Sequence, residues 1–262
     1  MVYLRSTGEI EYLRESSLLV GKTLAEIANV LKPGVTTKSL DELAETFIRD
    51  NGAIPGFKNY RGYPATLCVS VNDQVVHGIP GPYEIKDGDI VSVDCGTIKN
   101  GYYGDSAYTF AVGDVSTENL ELMKATKESL YRAIEVAFAG SRIGNIGYEV
   151  QHYVEGFGYS VVRDLVGHGI GTHLHEEPQV PNYGKKGQGV KLVEGMVICI
   201  EPMINRGKRF VIQEKDGWTI RTADGLPSAH FEHCIAVKKE KADVLSTFKW
   251  IEEVKNDNLK QI

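Results

Sequence analysis

Apolar residues in the first part of the chain recur at helical spacing. In SSLLVGKTLAEIANVL (16–31) they fall on one stripe, which predicts a helix that stops near Pro33-Gly34. TTKSLDELAETFIRDNG then resumes the period and predicts a second helix. ELMKATKESLYRAIEVA (121–137) and IGNIGYEVQHYVEGFG repeat that pair, broken near Gly140. The period shortens in GDIVSVD (88–94) and GMVICIE (195–201), two apolar strands that each end in a carboxylate. The strands stand 107 residues apart and the glycine breaks 106. Helix, helix, strand, strand, twice over, predicts a pseudo-symmetric α+β domain with helices outside a central antiparallel sheet. One domain spans 1–262, with halves at roughly 10–115 and 116–250.

The segment VSVDCGTIKNGYYGDSAYTF (91–110) reads as a hairpin. Asn100-Gly101 marks a two-residue turn, because both positions need positive φ. That turn pairs Lys99 with Tyr102, Ile98 with Tyr103 and Gly96 with Asp105. Side-chain alternation then sets Asp94 and Asp105 on one face as diagonal neighbours, with Gly96 leaving space between them. Two half-buried carboxylates this close repel, and one is forced to protonate; a cation between them removes that cost. Taken alone, the hairpin also fits a pair of solvent-facing aspartates.

The second half adds Glu201 from MVICIEP, Glu232 from AHFEHCIAV, and His168 among the glycines of LVGHGIGTHLHEEP. Four strand carboxylates in matching positions of two halves, plus one imidazole, make a hard-to-borderline ligand set. It suits Mn(II), Fe(II), Co(II) or Zn(II), with enough negative charge for two divalent ions. Two carboxylate-bridged ions about 3.5–4 Å apart are a recurrent hydrolytic device.

Composition narrows the partners. The chain has 262 residues, and its net charge of -6 gives no bulk electrostatic case for nucleic acid. No apolar run approaches the roughly 20 residues of a membrane span, and the first residues read as neither signal nor transit peptide. Cys68, Cys95, Cys199 and Cys234 lie far apart inside apolar runs, which fits reduced, buried thiols in a cytoplasmic protein.

The ordered set Asp94, Asp105, His168, Glu201, Glu232 resembles the metal signature of the methionine aminopeptidases, of pita-bread fold. VNDQVVHGIP, NGYYGD, GHGIGTHLHEEP and FEHC carry the likeness, which runs from about residue 5 to 250. Glu232 follows Glu201 by only 31 positions, which leaves no room for the type II insertion, so the likeness is to bacterial-type, type I members. It implies that Asp105 and Glu232 bridge two metals, that Asp94 chelates one, and that His168 and Glu201 complete the other. Glu201 would also shuttle a proton. His175 and His77 match the family histidines that contact substrate, and Tyr60, Tyr63, Cys68, Leu174 and Trp218 match its methionine pocket. Leu174 stands where an aromatic is common, Tyr103 replaces a frequent histidine, and Cys95-Gly96 replaces a common Val-Thr. His152, His173 and His230 have no match, and His233 is expected on the opposite strand face.

The implied substrates are nascent polypeptides and peptides that begin with methionine followed by a small residue. Transient ribosome association, through a basic loop at Arg206–Arg209, and a monomeric state accompany that reading. Two other readings stay open: an Xaa-Pro-type enzyme of the same fold, and a pita-bread protein that has lost catalysis and binds.

Overall fold

The computed structural model describes residues 2–262. Helix α1 (Thr7–Val30) begins well before the stripe at Ser16, because Ser6 and Glu9 form a capping box. The Glu9 carboxylate accepts from the Ser6 amide at 2.8 Å, and the Glu9 amide donates back to Ser6 Oγ. That reciprocal bonding satisfies two orphan donors and carries the helix through a polar first turn. Leu13, Val20, Leu24 and Ile27 are its fully buried stripe. Helices α2 (Thr37–Asp50), α3 (Thr117–Glu135) and α4 (Ile143–Glu155) follow. Thr36 caps α2 and Ser116 caps α3, each through its side-chain oxygen. Among the described residues, no helix is long and apolar enough to cross a membrane.

The strands form two five-stranded and two three-stranded sheets rather than one continuous sheet. Every paired strand is antiparallel. In the first large sheet, Ile90–Lys99 pairs with Tyr102–Val112 in the register expected from the Asn-Gly turn. Asn100 and Gly101 adopt φ of 53° and 79°. Leu67–Val71 pairs on the other side of Ile90–Lys99. The second large sheet runs Asp243–Val244, His233–Ala236, Val197–Ile200, Gly167–Gly169, Glu176–Val180. Helix α1 lies against the hairpin so closely that a Cβ at Gly104 would collide with the Ser17 amide. Ser16 and Thr97 share a 2.8 Å hydroxyl bond in that contact.

The repeat is legible in backbone hydrogen bonds. Gly34 donates to Ile85 O and Ile85 back to Val35 O, while Gly140 donates to Leu192 O and Leu192 back to Ser141 O. Gly88 donates to Val112 O and Val112 to Asp89 O, as Gly195 does to Val237 O and Val237 to Met196 O. Gly88 and Gly195 both sit near φ +90° (89° and 91°), a turn conformation that favours glycine. Counted from these matched bonds, Asp94 corresponds to Glu201, and Ala107 corresponds to Glu232. The expected match of all four carboxylates therefore holds for one pair only; Asp105 stands two residues away from the position that mirrors Glu232.

The halves are sewn together beside those carboxylates. The Glu232 amide donates to Ala107 O at 2.9 Å, and Ser106 Oγ donates to Glu232 O at 2.7 Å. Thr109 Oγ donates to His230 O at 2.7 Å and accepts from the His230 amide.

Candidate active site

The two large sheets bring five ligand-type side chains together. Asp94 and Asp105 come from the hairpin, His168 from Gly167–Gly169, Glu201 from the residue after Val197–Ile200, and Glu232 from the residue before His233–Ala236. Gly167 and Gly169 let the histidine strand lie close: a Cβ at either would run into the carbonyl of Cys199 or of Glu177. His168 Nδ1 bonds Gly169 O at 2.9 Å, which places the ring hydrogen there and leaves the Nε2 lone pair for the site. Nε2 stands 3.6 Å from Glu201 Oε1 and 3.8 Å from Asp105 Oδ2.

Three carboxylate oxygens, Asp94 Oδ1, Asp105 Oδ1 and Glu232 Oε1, are buried with no hydrogen-bond partner. A native fold rarely leaves such acceptors empty. Burial raises Asp94 to about 7, against the opposing pull of His230, and raises Glu201 to about 7, against His168. Burial, then Glu232, pushes Asp105 well up; burial, then Glu201, does the same to Glu232. Carboxyls held this far from their ordinary range want a cation. The donor atoms of Asp105, His168 and Glu232, together with Cys199 Sγ, lie within 4.8 Å of one another. The residues therefore fit divalent metal.

All twelve residues singled out in the sequence line one cavity of about 170 Å³. Its apolar end is formed by Tyr60, Tyr63, Cys68, Leu174 and Trp218. Trp218 meets Tyr63 edge-on at 5.1 Å, and Tyr63 is fixed by donating to Leu67 O and Gly78 O. His77 and His175 sit on the same cavity. His77 has φ +59°, a conformation sparsely used by a non-glycine residue and found where function demands it. Burial lowers His77 to about 4, so its ring is neutral at pH 7. Burial, then His168, lowers His175 to about 3, and His175 bonds the Tyr60 hydroxyl at 2.8 Å through Nδ1. In the tautomer in which the phenol donates to Nδ1, the neutral ring carries its hydrogen on Nε2.

An adjoining, wider hollow of about 660 Å³ shares Arg61, His77, His168, His175 and Glu201 and adds Asp164 and Glu177. Another large hollow, about 590 Å³ around Tyr131, Tyr153 and Phe157, brings together no imidazole or thiol. The chemistry therefore singles out the smaller cavity.

Four residues of the site escaped the sequence reading. Phe57 lines the cavity and lies against Gly96, where a Cβ would strike its ring. Arg61 lies between the two hollows. His230 is fully buried, with Nε2 3.7 Å from Glu201 Oε2 and otherwise unpartnered. Cys199 faces the carboxylates. Only Cys199 had a readable signal, since it precedes Glu201 by two residues on a strand and so shares its face. His233 lies outside the cavity, bonded through Nδ1 to Ser246 Oγ at 2.6 Å.

Residues 11–239 match metallopeptidase family M24. The chain is 49% identical to a methionine aminopeptidase of Clostridium acetobutylicum, over 94% of this chain and 99% of the relative. Among solved structures, a methionine aminopeptidase from Rickettsia prowazekii superposes with a TM-score of 0.93 at 42% identity. That match covers 94% of this chain and 100% of the other. A prolidase from Pyrococcus furiosus, 22% identical with a TM-score of 0.76, shares the fold, and only 65% of its length is covered.

Proposed function

The chain belongs to metallopeptidase family M24, and we infer from that premise that it removes the N-terminal methionine of peptides and nascent polypeptides by metal-dependent hydrolysis. The observation that carries this reading is the convergence of orphaned carboxylate oxygens and an apolar, aromatic pocket on one cavity of about 170 Å³. An unbranched thioether suits such a pocket, because sulfur packs well against ring edges. The family likeness implies a small second residue.

In this reading Asp94, Asp105, His168, Glu201 and Glu232 hold two divalent ions drawn from Co, Mn, Fe or Zn. Such ions supply Lewis acidity toward the scissile carbonyl and lower the pKa of water. Glu201, with one oxygen facing His168 and the other facing His230, is the carboxylate placed to take a proton from water and return it to the leaving amine. His175 Nε2–H donates to the substrate carbonyl oxygen as charge develops there. His77, neutral and held edge-on to Trp218 at 6.4 Å, hydrogen-bonds the peptide beyond the scissile bond. Trp218, Tyr63, Tyr60, Cys68 and Leu174 hold the methionine side chain and exclude water from it.

The test is methionine release from Met-Ala-Ser by chelator-stripped protein as Co(II), Mn(II), Fe(II) or Zn(II) is added back. Metal-restored release is expected, and its stoichiometry counts the ions. Folded protein that releases nothing with any of the four would leave the binding-protein reading instead. An Xaa-Pro-type activity would show as cleavage of Met-Pro substrates in preference to Met-Ala. The reading also includes a monomer that visits the ribosome through the basic loop. Arg206 is tied there to Asn119 Oδ1 at 3.2 Å, while Lys208 and Arg209 face solvent. Unchanged ribosome co-sedimentation after reversing Lys208 and Arg209 would remove that part.

A further inference from the structure

Cys199 and Cys234 stand directly opposite each other on neighbouring antiparallel strands, both without solvent exposure. Each is two residues from a carboxylate of the site, so the thiols share the face that carries Glu201 and Glu232. Cys199 Sγ lies within 4.8 Å of the donor atoms of Asp105, His168 and Glu232. Two of those partners are visibly short of a ligand: Asp105 Oδ1 and Glu232 Oε1 are buried and unpartnered. His168 Nε2 is 3.8 Å from Asp105 Oδ2, close to the spacing of about 3.4–3.7 Å between neighbouring ligands of one tetrahedral zinc ion.

We propose that Cys199 makes this corner a mixed sulfur, nitrogen and oxygen site for a thiophilic divalent cation, with Cys199, Asp105, His168 and Glu232 as its four ligands. The proposal rests on the metallopeptidase reading for the last three and adds a ligand that lies outside the five-residue set. Zn(II), Cd(II) and Co(II) are the ions it fits; harder ions such as Mn(II) use the oxygen ligands and leave the thiol protonated. Coordination breaks the Cys199 S–H bond, the proton passing to buffer and the electron pair to the metal.

The experiment titrates Co(II) alone, and separately Cd(II) alone, into the chelator-stripped full chain while recording near-ultraviolet absorption. A thiolate-to-metal charge-transfer band should grow with the first equivalent, with more proton released by the native chain than by Cys199→Ser. It should vanish in Cys199→Ser and persist in Cys234→Ser, and Cd(II) affinity in Cys199→Ser should fall by about tenfold or more while Mn(II) affinity holds. No such band, while visible d–d absorption shows Co(II) bound, would overturn the proposal and leave the metallopeptidase reading intact. A band that survives Cys199→Ser would also overturn it, assigning the sulfur elsewhere. Should Cys199→Ser fail to fold, the triple variant Cys68→Ser, Cys95→Ser, Cys234→Ser keeps Cys199 as the sole thiol and must keep the band. Failure to bind any ion would strike both readings.

Discussion

Along one face of the Ile90–Lys99/Tyr102–Val112 hairpin, the pairs Ser92–Thr109, Asp94–Ala107 and Gly96–Asp105 follow one another, and their hydrogen bonding changes within two steps. Ser92 Oγ and Thr109 Oγ1 share a 2.8 Å bond, and Thr109 closes a ring with the His230 backbone. That end is buried, polar and complete. At the other end Asp94 and Asp105 each keep an oxygen with no partner. Same face, same strands and similar burial: the contrast shows that a polar group in the interior is no sign of chemistry until its partners are counted. The satisfied end is architecture, and the unsatisfied end is a site awaiting something from outside the chain.

The sharpest way to break that contrast is Asp105→Asn, which keeps shape and removes charge. Changing an outer partner of a metal site costs about 10–100-fold in affinity, so losing a carboxylate that would itself hold the ion should cost at least a hundredfold or so. Metal titration calorimetry and methionine release from Met-Ala-Ser should both show it, with the melting temperature of the stripped protein unchanged or raised. Retained metal affinity would refute the role of Asp105.

Removing metal should turn the pH dependence of stability around. Without ions, Asp94 is raised from 3.8 to about 7 and Glu201 from 4.5 to about 7. Groups raised in the folded state stabilise it below their unfolded pKa, and that contribution is lost as pH climbs through the folded value. Stripped protein should therefore lose stability between about pH 4 and 7, whereas metal-loaded protein, whose carboxylates stay ionised, should gain. Parallel melting curves in the two states would contradict the electrostatics described above.

At the satisfied end, Thr109→Val strands the Ser92 hydroxyl and the His230 backbone amide. It should cost about 1–3 kcal/mol in denaturant unfolding while metal affinity changes by less than about tenfold. A large loss of affinity with little loss of stability would mean that the two ends are one network. The smallest effect belongs to Tyr60→Phe, which removes one hydrogen bond to His175, worth about 0.5–1.5 kcal/mol. It should lower kcat a fewfold and leave KM for Met-Ala-Ser nearly unchanged. A shift in KM alone would make Tyr60 a pocket wall and nothing more.

The hairpin was legible because its rules are local. An Asn-Gly turn sets the register, and the register sets which side chains share a face. The α1 start was equally local, written in Ser6 and Glu9, yet a search for apolar stripes passes over a polar first turn. Phe57 and Gly96 form a pair that strand alternation cannot foresee, since the contact joins an irregular segment to a strand interior. His230 was invisible for another reason: its ring meets Glu201 because Ser228–His230 pairs with Met203–Asn205, Met203 opposite His230, a long-range register that neither segment spells out. The shift between Asp105 and Glu232 was hidden too, because strand lengths after each turn differ and only the backbone bonds reveal the alignment.

Those bonds between Glu232 and Ala107 also set a clock. The first carboxylate is made at residue 94 and the last at residue 232, a gap that synthesis at about 5–20 residues per second crosses in roughly 7–28 s. Until then the hairpin is an unfinished half, its acidic face open and its cross-half hydrogen bonds absent. Ions can be captured with full affinity only after nearly the whole chain has emerged, so maturation of the centre is a late event in the life of each molecule.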